Sequence, residues 1–282
     1  MKFISHLDEI IDNYDVILSD VWGVVHNGEW AFEDASAALI RAREMGKAVV
    51  LITNSPRPHA GVITQMAGLG VPEDAWDRVV TSGDVTRDLI FAAPKKVFHI
   101  GSDRDLTLYD GTGAELSEEE EAQAIVCTGL FDDEHETPDD YAELLARLRS
   151  RNLPFICANP DLVVERGTRT IWCAGAIARA YDLLGGHTLV AGKPHAPIYE
   201  LALREATEFT GQPVDLKRVL AIGDGLLTDV KGAVNQGLDL LYVSSGIHAK
   251  EYGVHGKPDH GQLQNWLKGH GVSPVATMPY LG

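Results

Sequence analysis

The sequence predicts an α/β protein: a doubly wound, mostly parallel sheet interrupted by a smaller inserted α/β domain. Three observations carry this reading. Short apolar runs recur with helical stretches between them. The runs are continuous in apolar residues instead of alternating, as strands buried on both faces should be. The rhythm that opens the chain then resumes after a middle segment of different character, and 282 residues with 45% apolar content suffice for two cores.

Val16-Ile17-Leu18 is the first strand, with Asp20 at its carboxyl end. Residues 33–45 read as a helix because Ala35, Ala38, Leu39 and Ala42 recur at helical spacing, and Gly46 closes it as a C-cap. Residues 48–52 are the second strand, leading into Thr53-Asn54-Ser55, and Val79-Val80 a weaker third. The middle segment spans 96–188. There, Ser117 and four following glutamates predict a capped acidic helix start. Thr137-Pro138-Asp139-Asp140 predicts another helix, whose apolar face is Tyr141, Leu144, Leu145 and Leu148. Residues 124–126 and 154–157 supply the strands of this insertion. Beyond it, 219–222 and 240–243 read as strands, flanking a short helix from Asp229 to Gln236 that Gly237 ends. The expected division is therefore a core of 1–95 with 189–282, and an inserted domain of 96–188.

A net charge of −17 argues against nucleic acid and anionic lipid as partners, because polyanion binding needs a basic face to release counterions. Cys127, Cys157 and Cys173 lie far apart with no C-x-x-C pair, which predicts reduced core thiols and neither a disulfide framework nor a zinc site. The first residues carry Asp8, Glu9, Asp12 and Asp15 where a signal peptide would be basic then apolar, and no run approaches the roughly 20 apolar residues of a membrane span. A cytoplasmic protein is expected.

Four polar positions follow strands or connecting loops: Asp20, Thr53-Asn54-Ser55, Lys193, and Asp224 with Asp229. In a parallel sheet the strand carboxyl ends share one edge, so these distant positions are expected to converge. Asp20 and Asp224 offer hard oxygen ligands for Mg²⁺, while the Thr53 hydroxyl, the amides after it and the Lys193 ammonium offer donors to phosphate oxygens. Asp20 is then placed to attack phosphorus and form an aspartyl-phosphate. Asp229 is read either as a further metal group or as the N-cap of its helix. Asn54 and Ser55 are read either as phosphate contacts or as caps of the next turn. His248, His255, His260 and His270 lack tight ligand spacing and read as surface-loop residues.

This constellation resembles the haloacid dehalogenase (HAD) superfamily, in particular its class IIA phosphatases with a C2-type cap, the NagD, pyridoxal phosphate and phosphoglycolate phosphatase group. The resemblance covers nearly the whole chain. It implies a Rossmann-like core, an α/β cap at 96–188, and Mg²⁺ as cofactor. By it Asp20 is the nucleophile, Thr53 the phosphate-binding hydroxyl, Lys193 in Gly192-Lys193-Pro194 the third motif, and Asp224 with Asp229 the acidic fourth. Asn159-Pro160-Asp161 and Gly175-Ala176 match cap signatures of the group, with Asp161 either facing substrate or fixing the turn after Pro160. Caps of this type also make dimer contacts, so a homodimer through the cap is implied.

One position departs from the pattern. Phosphatases of the superfamily read Asp-x-Asp, the second carboxylate protonating the leaving group and then activating water. Here that position is Trp22, whose backbone carbonyl is still suited to Mg²⁺ but whose indole N–H is neither acid nor base near neutral pH. His26 is the nearest substitute by sequence, and it reads alternatively as a loop or cap-contacting residue. A substrate with a good leaving group, such as an acyl phosphate, would need less protonation. The expected function is hydrolysis of a small phosphorylated metabolite; the rival is a phosphorylated-ligand-binding or regulatory protein with little turnover. No P-loop, complete dinucleotide loop or Gly-x-Ser-x-Gly elbow competes with these readings.

Overall fold

A computed structural model describes residues 1–282. The chain divides into two compact units, the first comprising Met1–Thr53, Ile63–Val80 and Tyr199–Gly282, the second Asn54–Val62 and Thr81–Ile198.

The first unit is organised by a seven-stranded sheet in the order Lys2–Phe3, Ala276–Met278, Asp239–Val243, Val219–Gly223, Val16–Ser19, Ala48–Thr53, Arg78–Thr81. From Lys2–Phe3 through Ala48–Thr53 every neighbouring pair is parallel. Strands Val16–Ser19, Ala48–Thr53 and Val219–Gly223 are buried along their whole length, which is why their sequences are almost wholly apolar runs. Helix Glu33–Glu44 turns Ala35, Ala38, Leu39 and Ala42 inward as its spacing predicts, and Gly46 follows it at φ +80°. The sheet grows outward in both directions from the pair Val16–Ser19 and Val219–Gly223. Their carboxyl ends form the topological switch point, the place where open parallel sheets leave a crevice.

The second unit contains a five-stranded, all-parallel sheet in the order His187–Val190, Pro154–Cys157, Ala124–Cys127, Lys96–Ile100, Glu115–Leu116. Its larger core gathers Ile125, Phe155, Tyr141, Leu145, Leu148 and Tyr181. Helical structure begins where the sequence predicts: Thr137 and Asp140 close a reciprocal capping box, and the chain winds tightly over Pro138–Tyr141 before the α-helix Ala142–Ser150. All three cysteines are buried, and desolvation raises the thiols, Cys157 to about 12.

The glutamate run corrects an expectation. Residues 118–121 form a turn and no helix, with Glu121 N–H donating to Glu118 O at 3.1 Å. Strand Ala124–Cys127 begins too soon for a helix to develop, and the glutamates diverge to separate partners: Glu121 meets Lys96 at 2.7 Å and Glu119 meets Arg147 at 2.8 Å. No helix of the protein is long and apolar enough to cross a membrane.

Candidate active site

Asp20 and Asp224 each follow one of the two strands that flank the switch point. The parallel register sets Ser19 opposite Ile222, and Asp20 N–H continues the ladder by donating to Ile222 O at 2.8 Å. Asp229 arrives by a wide turn over Leu226–Val230 that precedes helix Lys231–Gln236. It sits inside that turn, with Oδ2 accepting from Gly225 N–H at 3.0 Å, so the N-cap alternative is corrected: the turn begins before Asp229 instead of at it. The three carboxylates are buried, and ligand oxygens from each lie within 4.8 Å of one another. Such a cluster of like charge is costly without a cation, and its hard oxygen donors fit Mg²⁺.

Backbone amides fix these carboxylates. Asp20 Oδ1 accepts from Val21 N–H at 2.7 Å, and Asp224 Oδ2 from Ile247 N–H at 2.8 Å. Gly246 permits the second contact, since a Cβ there would stand 1.8 Å from Asp224 Oδ2. His248 supports the turn that carries Asp229, its Nε2 accepting from Leu226 N–H at 3.1 Å. Burial holds its imidazole below the ordinary 6.5, favouring the neutral acceptor form. The surface-loop reading of His248 is thereby corrected. Residues 246–248 escape sequence reasoning because no spacing pattern links them to Asp224 or Leu226.

Thr53 ends strand Ala48–Thr53 and is buried. After Asp20 the chain folds into a closed loop: Val25 and His26 N–H groups return to Val21 O, and Gly23 N–H donates to His26 O at 2.7 Å. The Trp22 ring packs edge-to-face on His26 with centroids 5.1 Å apart, and against Gly28 so closely that a Cβ there would lie 2.4 Å from Trp22 Cζ2. His26 is buried, and its Nδ1 accepts from Gly28 N–H at 3.1 Å. Trp22 and His26 therefore hold the loop together.

In the second unit, Lys193 is buried to 2% exposure, rare for a lysine, and its peptide with Pro194 is cis. Asn54 Oδ1 accepts from Lys193 N–H at 2.8 Å, while its Nδ2 donates to Lys193 O at 3.2 Å and to Asp161 Oδ1 at 2.9 Å. Ser55 behaves as a turn former, its O accepting from Gly83 N–H and its Oγ from Arg57 N–H.

A profile of haloacid dehalogenase-like hydrolases matches residues 17–115, taking in Asp20 and Thr53, and a HAD-hydrolase-like profile matches 190–267, taking in Lys193, Asp224 and Asp229. A solved hydrolase of the haloacid dehalogenase-like family from Brucella suis 1330 is 60% identical, with a TM-score of 0.90 over 99% of this chain and 100% of that one. The chain belongs to the haloacid dehalogenase-like hydrolase family. More distant relatives of this HAD hydrolase include 5'-nucleotidase YutF of Bacillus subtilis (strain 168), 24% identical over 262 residues covering 90% of this chain and 98% of that protein. Phosphoglycolate phosphatase 2 of Arabidopsis thaliana is 25% identical over 269 residues, covering 86% and 87%.

Proposed function

We propose that this HAD hydrolase is a Mg²⁺-dependent phosphatase of a small phosphorylated metabolite, acting through an aspartyl-phosphate on Asp20. The observation that carries the reading is the buried Asp20, Asp224 and Asp229 cluster at the switch point. Asp20, Asp224, the Trp22 carbonyl and Asp229, directly or behind another ligand, would hold the ion. Bound there, Mg²⁺ would screen carboxylate from phosphate and polarise a phosphoryl oxygen. Relatives named as a 5'-nucleotidase and a phosphoglycolate phosphatase support phosphoryl chemistry.

Asp20 attacks phosphorus, forming a carboxylate–phosphorus bond as the bond to the leaving oxygen breaks and that oxygen departs with the electron pair. Thr53 and Lys193 donate to the phosphoryl oxygens, and water then splits the acyl phosphate to restore Asp20 and release phosphate. Trp22 supplies no proton to the departing oxygen, a contribution typically worth 10²- to 10⁴-fold. The reading therefore favours substrates whose leaving group is stable as an anion, acyl phosphates first.

Trp22 also favours a second reading, a phosphorylated-ligand-binding or regulatory protein with weak or no turnover. Phosphate release from a panel of phosphorylated metabolites and acetyl phosphate, with Mg²⁺ or EDTA, separates the two. Metal-dependent release lost in Asp20→Asn is expected, with Trp22→Asp gaining most on substrates with poor leaving groups. No release by the wild type, together with saturable binding of a phosphorylated ligand, would favour the second reading.

A further inference from the structure

We infer that Asn54 and Asp161 are positioning residues for Lys193, and that together they set the placement of its ammonium for the bound phosphoryl group. The inference rests on the phosphatase reading for the role of Lys193, and reassigns two side chains that the sequence offers as substrate contacts.

The hydrogen-bond accounting at Asn54 is complete. A side-chain amide has two N–H donors and an acceptor oxygen. Here the oxygen takes Lys193 N–H at 2.8 Å, and the nitrogen gives to Lys193 O at 3.2 Å and Asp161 Oδ1 at 2.9 Å. Asn54 thus grips both peptide groups of one residue, as a neighbouring β-strand would, and does so at 2% exposure. No side-chain donor of Asn54 remains for a phosphate; its backbone N–H is the part still suited to one.

Asp161 fixes which way the amide faces. Turning Asn54 over would set its oxygen against both the Asp161 carboxylate and the Lys193 carbonyl, acceptor against acceptor. Asp161 is in turn held by its own loop, its N–H donating to Asn159 Oδ1 at 3.0 Å and its carbonyl accepting from Gly175 N–H at 3.1 Å. Gly175 is needed there, since a Cβ on it would stand 2.3 Å from Pro160 O. On the other side of the clamp, a Cβ at Gly192 would meet Ser82 Oγ at 2.5 Å and both Asn54 Oδ1 and Pro160 Cγ at 2.8 Å. Asn54, Asn159-Pro160-Asp161, Gly175 and Gly192-Lys193, separate strings in the sequence, are one hydrogen-bonded body.

A misplacement of about 1 Å in a positioning group costs on the order of 10²-fold in rate. The test compares Asn54→Ala, Asp161→Asn and Asp161→Leu with the wild type across several phosphorylated substrates, and measures inorganic phosphate affinity by calorimetry with Mg²⁺. Asn54→Ala is expected to lower kcat/KM about 10²-fold on every substrate alike, and to weaken phosphate binding with it. Asp161→Asn, which keeps an acceptor oxygen, should recover most of what Asp161→Leu loses. Losses confined to particular substrates, or an Asp161→Asn as damaged as Asp161→Leu, would return Asp161 to the substrate and overturn the inference. Phosphate affinity unchanged in Asn54→Ala would overturn it as well. If no substrate is turned over by the wild type, the phosphatase reading fails while phosphate affinity still decides the clamp.

Discussion

At the residue scale, the loop after Asp20 makes a sharp demand on one position. Gly28 has φ +85° and carries the Trp22 ring on its Cα, so Gly28→Ala introduces both left-handed strain and a 2.4 Å overlap with Trp22 Cζ2. The expected loss is about 2–4 kcal/mol, read as a lower denaturant midpoint at unchanged slope. A variant as stable as the wild type would show that the loop yields easily. Asp20, Thr53 and Asp224 are legible in the sequence because each is polar and lies within two residues of the end of an apolar run, which a parallel strand explains. The role of Asn54 is not legible: its partner Lys193 is 139 residues away, and only the folded backbone reveals that the contact is with peptide groups. Asp229 is legible as an acid but not as part of a wide turn, since that geometry depends on His248 and Gly225 accepting and donating from outside it.

At the scale of elements, strands buried on both faces are readable and those with mixed surroundings are not. The runs at 16–18, 48–52, 124–126, 154–157 and 219–222 are all strands in the structure. Strand Lys96–Ile100 escapes because Lys96 is exposed and Phe98 and His99 only half-buried, so no continuous apolar run announces it. His99 gives that strand a pH dependence. Its Nδ1 lies 2.7 Å from the Tyr109 hydroxyl, and burial pulls its pKa below the ordinary 6.5 despite Asp105 and Asp103 nearby. The unfolded chain therefore binds this proton more readily than the folded one. The corresponding stability is present above the unfolded value of about 6.5 and is lost as pH falls from there through the depressed folded value. Unfolding midpoints between pH 7 and pH 5 should decline for the wild type and decline less for His99→Gln; equal slopes would remove His99 as a cause.

At the scale of the whole molecule, the −17 net charge and the buried carboxylate cluster lead to a prediction that stability depends on metal. A ligand that binds only the folded state stabilises it by about 2.7 kcal/mol at a hundred times its Kd. Millimolar Mg²⁺ should raise the Tm, EDTA should reverse the rise, and Asp224→Asn should abolish the response while relieving repulsion in the metal-free protein. A Tm indifferent to Mg²⁺ in the wild type would count against a folded-state metal site. The interruption and return of the strand–helix rhythm is what divides the sequence into an expected core and an inserted domain. The compact units follow contacts instead, assigning 54–62, 81–95 and 189–198 to the second unit although the rhythm groups them with the first.

The order of strands in the seven-stranded sheet has a consequence for synthesis. Lys2–Phe3 is made before every other strand of its sheet, yet its partner there is Ala276–Met278, made after all of them. The five strands of the other sheet all come from the continuous stretch 96–190, so it has its full complement of strands while the chain is still growing. A nascent chain thus carries Lys2–Phe3 without its partner, exposed to chaperones and to misplaced partners, until residues 276–278 emerge.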